Sequence, residues 1–291
     1  MRKILIPLAV LATAVVAAAT GGRSEASTTA FPGCAKASLN LVSEGRLTIG
    51  TDNPAFPPWF AGGEGAKPWK INDPNKGKGL EPAVVYAVAK RLGFASGEVR
   101  WVYTPFNRTI APGRKAFDFA INQISYTPDR AKVLTFSSSY YNVNQSIVGL
   151  KGKPIASVRS KAGLQRYKLG AQIGTTSYQY IVKSIKPSRS PSVFDTNDAA
   201  VAALKNGQID GLVVDLPTAF YVTAAQVSNG KIIGQFTSAV GNQERFGMVF
   251  QKGNSLAGCV DKALAQMKQT GILKRIQQIW LAKVTGAPVL K

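Results

Sequence analysis

The chain has 291 residues, of which 45% are hydrophobic and 18% charged, enough to build one large domain or two smaller ones. It contains no histidine, which excludes a histidine-based catalytic triad or metal cluster, and neither a metal nor a cofactor is expected. The net charge of +21 is spread along the whole chain without a dense basic run, so it reads as solvated surface and not as a nucleic-acid face.

Arg2 and Lys3 precede an apolar, alanine-rich run from Ile4 to Ala19. Small-residue cleavage sites follow, ending at Ala19 or Ala26, so residues 1–26 read as a secretory signal peptide. Its removal takes away Arg2, Lys3, Arg23 and Glu25 and leaves +19. The run is short for a membrane span, and no later stretch is long enough for one. The expectation is an exported protein, periplasmic or secreted. Cys34 and Cys259 are the two cysteines, and an even pair in an exported chain suggests a disulfide. The other reading makes Cys34 a lipid-bearing first residue. Phe31-Pro32-Gly33 is a poor lead-in for that, so the disulfide is expected.

Arg46 to Thr51 alternates like a strand and enters the proline- and aromatic-rich loop Asp52 to Phe60. Asp52 there either closes an Asx-turn or faces a ligand. Ala61 to Gly79 is a glycine- and lysine-rich loop. A helix begins near Glu81-Pro82, runs to Leu92 and stops at Gly93. Val99 to Tyr103 is the next strand, with Phe106 in the loop after it. Strand, helix and strand in this order point to a parallel α/β unit.

Phe117 to Ile121 reads as a short buried strand ending in Asn122-Gln123-Ile124-Ser125. Thr127 is placed to cap a helix with Pro128 in its first turn. Arg130 therefore sits one turn beyond a strand end, as a solvated residue beside Asp129 or as a bidentate carboxylate ligand. Gln145 to Leu150 is extended, and Lys151 to Pro154 is a loop. Tyr167 to Ile173 is a strand followed by Gly174-Thr175-Thr176-Ser177, with a helical pattern from Tyr178. Such a helix start is an anion site or an ordinary cap. Ala199 to Lys205 is helical, and Ile209 to Val214 is a buried strand ending at Asp215, an N-cap or a ligand for a cation. Phe246 to Phe250 is one more strand, and residues 255–282 are helical.

The loops after these strands offer one arginine, two threonines at a helix start, one aspartate and several aromatics. That set suits an α-amino acid, which needs a cation for its carboxylate and a carboxylate for its ammonium. In α/β sheets ligands sit beyond the carboxyl ends of the strands, where all these groups lie.

The pattern resembles the type 3 extracellular solute-binding proteins of amino-acid ABC transporters, from about Leu39 to Ala282. It is carried by Thr48-Ile49-Gly50-Thr51-Asp52, by Gly79-Leu80-Glu81 with Ala87 to Gly93, and by Ser125 to Lys132. Gly174-Thr175-Thr176-Ser177 and Gly207 to Asp215 complete it. The resemblance implies a type II periplasmic-binding-protein fold: two α/β lobes joined by a two-segment hinge and closing on a ligand. Lobe one would be residues 37–145 plus 244–291, and lobe two 146–243, with crossings near Gln145–Gly149 and Gly241–Arg245. It implies that Arg130 binds the α-carboxylate with Ser125, Thr175 and Thr176, and that Asp215 binds the α-ammonium. Phe56 and Phe106 would flank the ligand side chain, and Asp52 would meet a polar or basic one. Asn122 and Gln123 are larger amides than many relatives carry there and would reshape the pocket. The implied partners are an amino acid and the membrane permease of an ABC importer, with the protein a monomer that binds no nucleic acid. Some relatives are cyclohexadienyl dehydratases that use a lobe-two glutamate as general acid. Between Ser146 and Gly241 this chain has none, so an enzyme is not expected.

Overall fold

The computed structural model describes residues 31–237, 243–282, 284 and 286–290. The expected signal peptide and Gly241 of the second crossing lie outside the described residues. The chain first lays down β1 (Leu47–Thr51), α1 (Leu80–Arg91), β2 (Val99–Tyr103), α2 (Phe106–Ile110), β3 (Phe119–Ala120), α3 (Pro128–Val133), β4 (Leu134–Phe136) and β5 (Tyr141–Val143). It then forms β6 (Gln145–Leu150), β7 (Leu169–Gln172), α4 (Thr176–Tyr180), β8 (Ser192–Phe194), α5 (Asn197–Lys205), β9 (Gly211–Asp215), α6 (Leu216–Tyr221) and β10 (Gly230–Phe236). It returns as β11 (Glu244–Phe246), β12 (Val249–Gln251), α7 (Leu256–Gln269) and α8 (Ile272–Leu281).

Two five-stranded sheets result, in the orders β2-β1-β3-β12-β4 and β10-β6-β9-β7-β8. In the first, β1 lies parallel to β2 and β3, and β12 is antiparallel to β3 and β4. In the second, β7 is parallel to β8 and β9, and β6 is antiparallel to β9 and β10. Every residue of β1 and β6 is buried, as central strands covered on both faces require. The core of the first lobe is rich in large side chains, with the Trp59 ring edge-on to Tyr141 and Phe246 at 5.5 Å from each. Cys34 and Cys259 form a disulfide that ties the N-terminal segment to α7.

α1 begins where it does because Gly79 takes φ 107, and a Cβ there would lie 2.4 Å from the Trp59 carbonyl oxygen. Thr127 caps α3 by accepting from the Arg130 N–H at 3.1 Å, with Pro128 in the first turn.

Several boundaries differ from expectation. Phe106 opens α2 and does not lie in a loop. α4 starts at Thr176, two residues before the expected Tyr178. The expected strand Phe246–Phe250 is two strands, β11 and β12, which pair with different partners. β6 belongs to the second sheet from Gln145 onward, and the β5–β11 ribbon lies between the two sheets. The last described residues leave lobe one: Val289 bridges Gln235 on β10, and Leu290 packs into the second lobe's core.

Candidate functional site

The ends of β1, β2, β3, β7 and β9 open onto one cavity of about 140 Å3 between the sheets. A buried water needs roughly 10–15 Å3 on such a measure, so the space takes about ten water-sized bodies, the scale of a free amino acid. Asp52, Phe56, Phe106, Asn122, Gln123, Ser125, Arg130, Thr175, Thr176 and Asp215 all line it.

Arg130 is 9% exposed. Its guanidinium donates to the carbonyls of Ser125 at 2.6 Å and Gly174 at 2.8 Å, and it lies over the Phe106 ring. No carboxylate forms a salt bridge with it among the described residues. Burial pulls it down to about 10, opposed by the charges of Glu244 and Asp215, so it stays protonated at neutral pH. A buried guanidinium held only by neutral carbonyls is poised for an anion.

Asp215 stands at the N-cap position of α6, but its side chain makes no capping bond. One carboxylate oxygen instead accepts from Gln145 Nε2 at 2.7 Å. The group keeps some exposure, as a cavity-lining side chain does. Burial pushes its carboxyl well above the usual range, and Glu244 adds to the effect. A cation in the cavity would relieve both causes. Asp52 lines the cavity and its carboxylate is held by backbone donors: Oδ1 accepts from the Asn53 N–H at 2.8 Å and Oδ2 from the Phe106 N–H at 3.3 Å. Its carboxyl is raised by burial, with a smaller contribution from Asp198. Thr175 is likewise a cap, accepting from the Tyr178 N–H at 3.1 Å and donating to the Gln172 carbonyl at 2.7 Å.

Gln123 has φ 49, unusual for a side-chain-bearing residue. Glu81 holds it there, accepting from its N–H at 2.7 Å and from its Nε2 at 2.6 Å. Glu81 thus takes the backbone N–H and one of the two amide hydrogens, and Gln123 forms part of the cavity wall.

Residues from both lobes meet around the cavity. Trp59 Nε1 donates to Thr218 Oγ1 at 3.1 Å, Ser125 and Thr176 hydroxyls lie 3.3 Å apart, and the Phe56 and Tyr221 rings are 5.7 Å apart. Sequence reasoning missed Glu81, Gln145, Asp198, Thr218, Tyr221 and Glu244. For Asp198 a signal existed: it lies in the first turn of a helix that follows a strand, as Arg130 does.

This architecture, with a cavity at facing strand ends, is that of a type II periplasmic binding protein. The chain belongs to the bacterial extracellular solute-binding proteins, family 3, whose family description matches residues 47–283. It is 26% identical over 257 residues to the L-cystine-binding protein TcyJ of Escherichia coli, covering 87% of this chain and 88% of that one. It is 32% identical over 155 residues to a probable histidine-binding protein of Campylobacter jejuni, covering 53% of this chain and 57% of that relative. Among solved structures it resembles an ancestral arginine-binding protein bound to glutamine, with a TM-score of 0.67 and 30% identity. That match covers 82% of this chain and 98% of the other. No helix among the described residues is long and apolar enough to cross a membrane.

Proposed function

We propose that this protein captures a free α-amino acid with a polar or basic side chain outside the cytoplasm and delivers it to the permease of an ABC importer. The observation that carries the reading is Arg130: a buried guanidinium lining the cavity that makes no salt bridge among the described residues, with Asp215 lining the same cavity. Arg130 takes the α-carboxylate as a bidentate pair, beside Ser125 and the start of α4. Asp215 takes the α-ammonium. With that pair accounted for, two lining carboxylates are left, Asp52 from one lobe and Asp198 from the other. They favour a cationic or hydrogen-bond-donating side chain held between Phe56, Phe106 and Tyr221. Lobe one comprises the first sheet with its helices and lobe two the second, and the two crossings beside β5 and β11 act as the hinge.

Binding and not turnover is the reading because a dehydratase of this kind uses a lobe-two glutamate, and residues 146–241 contain none. A thermal-shift panel of the common amino acids, followed by calorimetry on the hits, tests the proposal. Arg130→Ala leaves a ligand carboxylate buried and unpaired, a penalty of roughly 2–5 kcal/mol, or about 30- to several-thousand-fold in affinity. Arg130→Lys recovers part of it, because the planar fork is gone. Asp215→Asn is expected to fold normally, since its side chain caps nothing, and to bind poorly. Parent-like binding by Asp215→Asn overturns the ammonium assignment.

A further inference from the structure

Glu244 stands behind Asp215, outside the cavity lining. One of its carboxylate oxygens accepts from the Ser125 hydroxyl, and the other accepts from Gln145 Nε2 at 2.9 Å. The same Nε2 donates to Asp215 at 2.7 Å. A single amide nitrogen therefore bridges two carboxylates, one on β9 of the second lobe and one on β11 of the ribbon between the lobes. The amide cannot turn over to separate them. Gln145 is 3% exposed, and its oxygen accepts from the Ser177 hydroxyl at 2.7 Å. A flip would set the amide oxygen against both carboxylates.

Among the described residues, Asp52, Asp198 and Tyr221 line the same cavity as Asp215, and the ionisable groups whose charges bear directly on Asp215 come from four other elements. They are Glu81 on α1, Arg130 on α3, Glu244 on β11, and Tyr140 and Tyr141 at the start of β5. Both tyrosines stay protonated, with Tyr141 pushed up to about 12 by burial and by the Asp215 charge. Residues 238–242, Ser-Ala-Val-Gly-Asn, carry no ionisable side chain. Acids thus outnumber cations in this set, and its one guanidinium is the group that the ligand's carboxylate takes.

Building on the amino-acid reading above, we propose that capture of the ligand's ammonium expels a proton from Asp215, and that Glu244 is the positioning residue that keeps this proton in place in the free protein. Two ionised carboxylates bridged by one amide in an enclosed site repel each other, and a proton on one removes the repulsion. When the ammonium arrives it supplies the missing positive charge. The O–H bond of Asp215 breaks, the proton passes to solvent buffer, and the ligand's N–H donates to the carboxylate left behind. One positive charge enters as one leaves. Burial and the neighbouring Glu244 both raise the Asp215 carboxyl, in line with a proton held there before binding.

The test is calorimetry on the full chain with L-arginine, or with whichever amino acid scores in the panel, in buffers of different ionisation heat from about pH 4 to about pH 8. The expected result is release of roughly one proton per ligand at the acid end, fading as pH rises. Affinity then climbs by up to about tenfold per pH unit across the same window. Glu244→Gln keeps an acceptor for Ser125 and removes the like charge, so it shifts that window to lower pH while binding persists. Glu244→Ala serves if the first variant does not fold. Buffer-independent heats with flat affinity overturn the proposal, as does a Glu244→Gln profile identical to the parent's. A folded parent that binds no amino acid at all overturns the amino-acid reading itself, and this inference with it.

Discussion

Glu81 shows how one buried side chain shapes the site without touching its contents. It is fully buried and accepts from the Tyr140 hydroxyl as well as from the backbone N–H and Nε2 of Gln123. Burial pushes its carboxyl up to about 7, against the pull of those hydrogen bonds. Between about 4.5 and about 7 the folded protein holds a proton that the unfolded chain has lost. The folded state then binds more protons, so stability falls as pH rises through that window, by on the order of 3 kcal/mol in total. Asp118, raised by burial while accepting from the Thr48 and Val42 N–H groups, adds in the same direction. Urea unfolding across the window should show the decline, and Glu81→Gln should show less of it. The substitution also replaces an acceptor with a donor facing donors, a cost of about 1–3 kcal/mol. A parent and variant with parallel pH profiles would show that Glu81 does not titrate there.

At the scale of elements, α7 and the N-terminal segment are joined more by covalent chemistry than by regular structure. Residues 31–46 contribute one short 3-10 turn and a few partly buried apolar side chains, Phe31, Leu39 and Leu41, against the first lobe's core. The Cys34–Cys259 bond joins positions 225 apart in sequence, so it removes much freedom from the unfolded chain. Reduction, or Cys34→Ser with Cys259→Ser, is expected to lower stability by about 2–5 kcal/mol in chemical unfolding. Ligand affinity should change little, because the bond lies away from the cavity. Equal stability with and without reductant would show that the segment is held by packing alone.

For the molecule as a whole, the described residues join the two lobes around the cavity through individual side-chain and backbone contacts. Beyond the Arg130–Gly174 bond they include the Trp59–Thr218 and Ser125–Thr176 pairs and the Phe56–Tyr221 contact. A hydrogen bond adds about 1 kcal/mol net, so on the proposed hinge these contacts would favour closure by only a few kcal/mol and a ligand touching both lobes would add to them. Small-angle scattering should therefore give a smaller radius of gyration with bound amino acid than without. Thr218→Val removes the acceptor for Trp59 only when the lobes are shut, and should weaken affinity about fivefold for a loss of about 1 kcal/mol. An unchanged radius at saturating ligand would count against hinge closure.

The sequence by itself determined the parts that depend on near neighbours. Thr127-Pro128 marked the start of α3 because a hydroxyl reaching the N–H three residues on is local chemistry. The strand ends at Asp52, Asn122 and Asp215 were legible because apolar runs stop at polar residues, and in a parallel arrangement those ends face one cavity. Whether Asp215 was a cap or faced the cavity was not legible, since both uses need the same residue at the same place. Only the tertiary structure decided that, by pairing it with Gln145, 70 residues earlier. Glu81 reads in sequence as an ordinary acid in a first helical turn, where the helix dipole favours one. Its burial depends on Tyr140, 59 residues away, and Gln123, 42 away. Glu244 carries no local signal at all, because its partner Ser125 is 119 residues distant. Pattern and capping act over one or two turns of chain. The charge balance of an enclosed site is set by groups that meet only after both sheets have formed, and burial then changes what each of them does.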